Sequence, residues 1–231
     1  MANCKKFKRS AVGHLFNSYE RKNNVIVGDL DGDERNVNLD KICQNYNLKQ
    51  SNKSQLEIYH ERLAQVKCLN RKDLNTICCW VVTIPDELKN IEKSIQDKFF
   101  KHVYDFLNCR YGEENCVSAY VHFDQTTPHM HYAFIPIVID KKKNIEKVSA
   151  KEVVNLADLK TFHPNLQKYL QTQMQMQLSI ITGETKLSGN KTIKELQEEG
   201  NKLKKELESL KEEIEKLKEE KALLSSVQGK I

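Results

Sequence analysis

Apolar residues run almost unbroken through Ile77, Cys78, Cys79, Trp80, Val81, Val82 and Ile84, between Asn75 and Pro85. So short a run, rich in β-branched and aromatic residues, predicts a strand covered on at least one face. Pro85-Asp86-Glu87 then opens a helix to about Cys109. In it Leu88, Ile91, Ile95, Phe99, Val103 and Phe106 recur at helical spacing as a buried stripe, and Gly112 closes the element. Two further runs, Cys116 to Asp124 and His129 to Val138, flank the turn signal Thr126-Thr127-Pro128 and pair as a hairpin.

The rest of the chain is less regular. Asn3 to Lys8 alternates weakly as a strand, and His14 to Lys22 suits a short helix with Leu15, Phe16 and Tyr19 on one face. Residues 28 to 36 are rich in acid and glycine, do not complete a calcium-loop spacing, and read as an exposed loop. Asn36 to Leu39 is a short strand candidate, and Lys41 to Leu69 reads as helical with a polar break near Lys49 to Ser54. Lys141 to Asn144 is a basic turn. A helix follows from Ser149, with Glu152 three residues on as a capping box, pausing at Pro164 before Leu166 to Gln177. The expected fold is α+β, a mainly antiparallel sheet with helices on one face.

From Lys191 the pattern changes. Leu196, Leu203, Leu210, Leu217 and Leu224 occupy one heptad position and Ile193, Leu207 and Ile214 another, with Gly200 and Lys221 interrupting the second series. Leucine at every seventh position predicts a C-terminal coiled-coil helix, and because a two-position seam cannot bury itself alone, a homodimer. The division is 1–190 for a globular domain and 191–231 for the coiled coil.

A chain of 231 residues with 39% hydrophobic content supports one core. No apolar run reaches the roughly 18 to 20 residues needed to span a bilayer, and the start lacks the apolar core of a secretion signal, so a cytoplasmic protein is expected. Seven cysteines without Cys-x-x-Cys spacing make neither a disulfide framework nor a zinc ribbon. Residues 1 to 24 carry six lysines and arginines against Glu20 alone, an excess equal to the whole chain's net charge of +5. Such a segment suits phosphate contacts, with Lys5, Lys6, Lys8, Arg9 and Arg21 as the DNA-binding candidates.

The candidate chemistry lies in the hairpin. His129 and His131 alternate with Met130 and so share one face of a strand, and the turn brings His122 back beside them. Three neutral imidazoles converging on one point make a site for a divalent ion with open coordination positions. His14, His60, His102 and His163 stand alone, and the default for each is a satisfied polar residue.

The pattern His122-x-Asp124-x-x-Thr127-Pro128-His129-Met130-His131 resembles the signature of the Mob/Pre family, the MobV-type relaxases of plasmid mobilisation and recombination. Phe16-x-x-x-Glu20-Arg21, Asn36-Val37-Asn38, Ser149-Ala150-Lys151 and Gly183-Glu184-Thr185 extend the likeness over about the first 190 residues. The resemblance implies a relaxase fold with the metal, Mn2+ or Mg2+, on its open face. It implies site- and strand-specific nicking and rejoining of single-stranded or hairpin DNA at a transfer origin, through a transient covalent link to the 5′ phosphate. Two positions depart from the family pattern, Gln125 where it carries glutamate and Ser18 where it carries histidine. The nucleophile candidates are therefore Tyr19, then His14, then Ser18, and Gln125 stands at the acid/base position. The rival reading is a relaxase-derived module that binds DNA without cutting it.

Overall fold

The computed structural model describes residues 2–21 and 37–180 and, nearer the C-terminus, residues 200–202, 205–211, 213–214 and 218. The first two stretches build an antiparallel sheet in the order β1-β3-β5-β4-β2. Its elements are β1 (Ala2–Lys8), α1 (Val12–Tyr19), β2 (Tyr46–Asn47), α2 (Gln55–Ala64), β3 (Asn75–Thr83), α3 (Lys93–Tyr111), β4 (Cys116–His122) and β5 (His129–Phe134). A separate two-stranded ribbon, β6 (Ile137–Asp140) with β7 (Ile145–Val148), leads into α4 (Ala150–Val153) and α5 (Leu156–Met174).

The α+β class is as expected, but the helices occupy both faces. Cys78, Trp80, Val82, Met130, Tyr132 and Phe134 pack with α3 and α5 on one side; Ile77, Cys79, Ala133 and Ile135 pack with α1 and α2 on the other. The expectation of helices on one face is corrected because β3, apolar at nearly every position, has two faces to cover rather than one. On the α5 side Trp80 stacks on Phe162, with centroids 3.5 Å apart, and its Nε1 donates to the Tyr111 hydroxyl at 3.0 Å. That hydroxyl in turn donates to Asp158 at 2.9 Å, so the polar atoms of this buried face are satisfied in a chain.

Several boundaries moved for local reasons. Asn36 lies outside the described residues, and Asn38, instead of joining a strand, accepts a hydrogen bond from the Asp40 backbone and caps a 3-10 turn over Leu39–Gln44. Of the helix expected from Lys41 to Leu69 only α2 exists, started after the polar break by Ser54 and Glu57 in a capping box. Tyr46–Asn47 instead forms the edge strand against β4. The second hairpin strand stops at Phe134, two residues before Pro136, and Ile137–Asp140 pairs with a strand the sequence pattern did not reveal, across a turn with Asn144 at φ 48°. The helix from Ser149 ends after one turn, and Asn155 caps a new one that runs through Pro164 without the expected pause. Phe162 beneath Trp80, and His163 bonded to the Ala2 carbonyl at 2.9 Å, hold that helix against the sheet, so tertiary packing outweighs the proline's local preference.

The chain divides into two compact units, Met1–Thr182 and Gly183–Ile231. In the second, the described residues are helical, and Leu207, Leu210 and Ile214 are 51 to 56% exposed. Among the described residues no helix is long and apolar enough to cross a membrane. The glycine-rich loop of residues 28 to 36, the Gly183-Glu184-Thr185 segment and most of the leucine seam lie outside the described residues.

Candidate metal centre

Strand alternation divides β5 in two. Met130, Tyr132 and Phe134 enter the core, whereas His129 and His131 emerge on the α1 side. Antiparallel register sets His122 directly opposite His129 and Tyr120 opposite His131. The three imidazoles accordingly cluster, with ring centroids 4.8 to 5.4 Å apart. One nitrogen from each lies within 4.8 Å of the others. His129 Nε2 and His131 Nε2 are 3.0 Å apart. That separation suits one proton shared between two neutral rings, and equally two adjacent ligands on an ion at about 2.1 Å from each nitrogen.

The C-terminal end of α1 closes the cluster from one side. His122 Nε2 donates to the Tyr19 carbonyl at 2.9 Å, which leaves the lone pair on Nδ1 facing Arg21 Nη2 at 3.3 Å. Arg21, in the left-handed region at φ 53°, forks onto the fully buried Asp124, with Nε on Oδ2 at 2.8 Å and Nη2 on Oδ1 at 3.1 Å. The sequence assigned Arg21 to DNA contact; here its guanidinium is 10% exposed and ties α1 to the end of β4.

The electrostatics keep His122 and His131 neutral, as ligands must be. Burial, then the Arg21 charge and His129, push His122 down to about 3. Burial, His129 and His122 hold His131 well below the usual histidine range, with Lys5 adding to the effect. Burial raises the Asp124 carboxyl, but hydrogen bonding and charge from Arg21 outweigh it and hold the group below its ordinary value. Three ring nitrogens within 4.8 Å of one another fit a divalent ion, with His122 offering Nδ1 in place of its 3.3 Å contact to Arg21.

The remaining candidates separate. Tyr19 is 1% exposed; its hydroxyl lies 2.7 Å from Cys79 Sγ, and its ring stacks on His131 at 4.5 Å. Sharing a helix face with Leu15 and Phe16 directs its phenol oxygen into the core, which argues against the ranking that placed Tyr19 first as nucleophile, and its ring forms a floor under His131. His14 is exposed, about 6 Å up the helix axis from Ser18. Ser18 is half-buried beside the Tyr19 carbonyl that meets His122, and Gln125 is half-buried in the turn after Asp124. Lys5 shares the histidine face. Lys6, one residue on, points to the other face and donates to the Val154 carbonyl at 2.7 Å. Lys8 and Arg9 are exposed at the end of β1, Arg9 with Nη2 3.3 Å from Cys68 Sγ. Missed at the sequence level were the Arg21–Asp124 fork and Tyr120, whose ring lies 5.6 Å from that of His122. Its place two residues before His122 in a strand was the available signal.

A family model described as "Plasmid recombination enzyme" (Mob_Pre) matches residues 1–192. A plasmid recombination enzyme of Lactiplantibacillus plantarum is 28% identical over 172 residues, 74% of this chain and 45% of that protein. One from Bacillus thuringiensis is 32% identical over 124 residues, 52% of this chain and 28% of the relative. The alignments thus span about a quarter to a half of the length of these curated relatives. Among solved structures, the Mn-bound MobM relaxase domain (MOBV; Mob_Pre) in complex with plasmid pMV158 oriT DNA is 23% identical, covering 86% of this chain and 97% of that one, with a TM-score of 0.68. A second Mn-bound MobM complex superposes with a TM-score of 0.69 at 22% identity, covering 87% of this chain and 97% of that one. The chain shares the fold of that domain, and with a family match over 192 of 231 residues it belongs to the plasmid recombination enzyme (Mob_Pre) family.

Proposed function

We propose that this protein is a metal-dependent relaxase that nicks and rejoins one DNA strand at a plasmid transfer origin. The observation that carries the reading is the cluster of His122, His129 and His131 against the end of α1, in a chain of this family. His122, His129 and His131 would hold a divalent ion, Mn2+ or Mg2+, and the Mn-bound relatives support the choice. When bound, such an ion polarises the scissile phosphate and stabilises charge on its oxygens. The chain's own residues do the rest. Arg21 and Asp124 fix α1 against the cluster, so that Ser18 is presented at the metal side. Ser18 Oγ attacks phosphorus in line; the new bond is Oγ–P, the broken bond is P–O3′, and the 5′ phosphate stays on the protein until the reverse step. His14, four residues earlier and on nearly the same side of the helix, takes the hydroxyl proton. Gln125 holds a phosphate oxygen by hydrogen bonding, and Lys5, Lys8 and Arg9 neutralise neighbouring phosphates.

The DNA is single-stranded or a hairpin at the origin, as the oriT complexes of MobM suggest by analogy. Exposed Leu207, Leu210 and Ile214 on helical backbone support a homodimer through a coiled coil over 191–231, with 1–190 as the relaxase domain. We place the protein in the cytoplasm, where its seven cysteines stay reduced. One observation favours a second reading, a DNA-binding module that does not cut: the Tyr19 phenol is enclosed against Cys79, which leaves the weaker Ser18 to attack. Incubation of supercoiled plasmid carrying the cognate origin with protein and Mn2+ separates the two. Open circles with a covalent adduct on Ser18 support nicking, and origin binding with neither supports the module.

A further inference from the structure

Beside the histidines, between β4, the N-terminal end of α2 and the 49–53 segment, lies a cleft of about 590 Å³, within the range of roughly 300 to 1,000 Å³ common for small-molecule sites. Glu20 and Tyr120 line it, and both border the metal cluster: Glu20 follows the Tyr19 carbonyl that meets His122, and Tyr120 stands 5.6 Å from the His122 ring. Gln55, the first residue of α2, also lines it and is 4% exposed. Its Nε2 donates to Glu20 Oε1 at 2.7 Å. Because a carboxylate only accepts, this bond settles which way the amide faces and leaves Oε1 on the other side. That oxygen is buried and, among the described residues, has no hydrogen-bond partner. Leaving a buried acceptor without a donor is costly, so the site is built to receive an N–H. Lys49 and Lys53 line it as well, Lys49 donating to the Glu113 carbonyl at 3.3 Å and Lys53 paired with Glu61 at 2.6 Å.

Resting on the reading of DNA processing above, we propose that this cleft holds one nucleobase next to the scissile phosphate, stacked on Tyr120 and selected through Gln55 Oε1 for an exocyclic amino group. Cytosine illustrates the match. Its N4 amino group donates to Oε1 and carries no oxygen toward Glu20. Thymine presents an imino N–H flanked by two carbonyls, one of which would meet the Glu20 carboxylate. Adenine and guanine satisfy the acceptor as cytosine does.

The test is fluorescence anisotropy of the full chain with labelled twelve-nucleotide homopolymers, dC12 and dT12, at pH 7.5 and fixed salt, in EDTA so that no metal chemistry intervenes. One additional hydrogen bond of about 1 kcal/mol predicts that dC12 binds about fivefold tighter than dT12. Gln55→Met should bring the ratio to one while leaving the affinity for dT12 in place, and Tyr120→Ala should weaken both oligomers. A twelve-mer of N4,N4-dimethylcytidine, which needs no altered protein, should bind no better than dT12. Equal binding of dC12 and dT12 by the wild type, or tight binding of the dimethylated oligomer, overturns the subsite and leaves the DNA reading standing. Binding of neither homopolymer overturns both.

Discussion

The two faces of β5 are made by neighbouring residues of one strand. Met130, Tyr132 and Phe134 enter a sealed core with Trp80, Phe162 and α3, in which the polar atoms of Trp80, Tyr111 and Asp158 satisfy one another. His129 and His131, interleaved with them, enter a pocket where imidazole meets imidazole at 3.0 Å and α1 is fastened by a charged fork. A single period-two alternation thus assigns stability to one face and chemistry to the other. The lesson is that substitutions on the two faces should fail in different ways.

The largest effect belongs to the sealed face. Trp80→Ala removes the ring stacked on Phe162 and leaves Tyr111 without its donor, so urea denaturation should show a loss of about 3 to 5 kcal/mol. Metal affinity per folded molecule should not change. If the two faces are coupled instead, Mn2+ affinity will fall before unfolding begins.

The histidine face should respond to pH. His122 at about 3 and His131 well below the usual range stay neutral in the fold, whereas in the unfolded chain they take up protons near pH 6.5. The unfolded state then binds more protons, and metal-free stability falls as pH drops through 6.5 toward 3. Each histidine contributes up to about 1.4 kcal/mol per pH unit. Denaturation midpoints measured from pH 7 to 4.5 should show this slope. His131→Gln should flatten it by one histidine's share; an unchanged slope would mean that the ring titrates freely.

A smaller effect tests the floor assigned to Tyr19. Tyr19→Phe loses the hydroxyl contact with Cys79 and keeps the ring, so stability should change by less than about 1 kcal/mol, and Mn2+ affinity and nicking should persist. Tyr19→Ala, which removes the ring under His131, should weaken metal binding. Loss of nicking in Tyr19→Phe with metal affinity intact would return the phenol to the role of nucleophile. The smallest effect is expected from truncation after Asn190. The melting of the remaining domain should be unaltered while sedimentation shifts from dimer to monomer.

What was legible in advance follows from how local each signal is. The long strand and the histidine hairpin rest on periodicity within ten to twenty residues and held to within a few residues, whereas the helix expected from Pro85 begins only at Lys93, after a 3-10 turn over Asp86–Leu88. The ribbon of β6 and β7 was not legible, because Glu146 and Lys147 carry no apolar alternation and the pairing is fixed by the turn at Asn144. Nor was the role of Arg21, which read as one of a run of basic residues; its carboxylate partner lies 103 positions away. Tyr19 was ambiguous in kind. Its helix face was readable, but what that face packs on depends on which side of the sheet α1 covers, and only the three-dimensional arrangement supplies that.

The central claim is that the interleaved residues of this hairpin hold one divalent ion. Isothermal titration of Mn2+ into the full chain and into the double variant His129→Ala, His131→Ala tests it directly. The account predicts one ion per chain for the native protein and no measurable binding by the variant, with its thermal unfolding still cooperative. Undiminished Mn2+ binding by a folded double variant would contradict it.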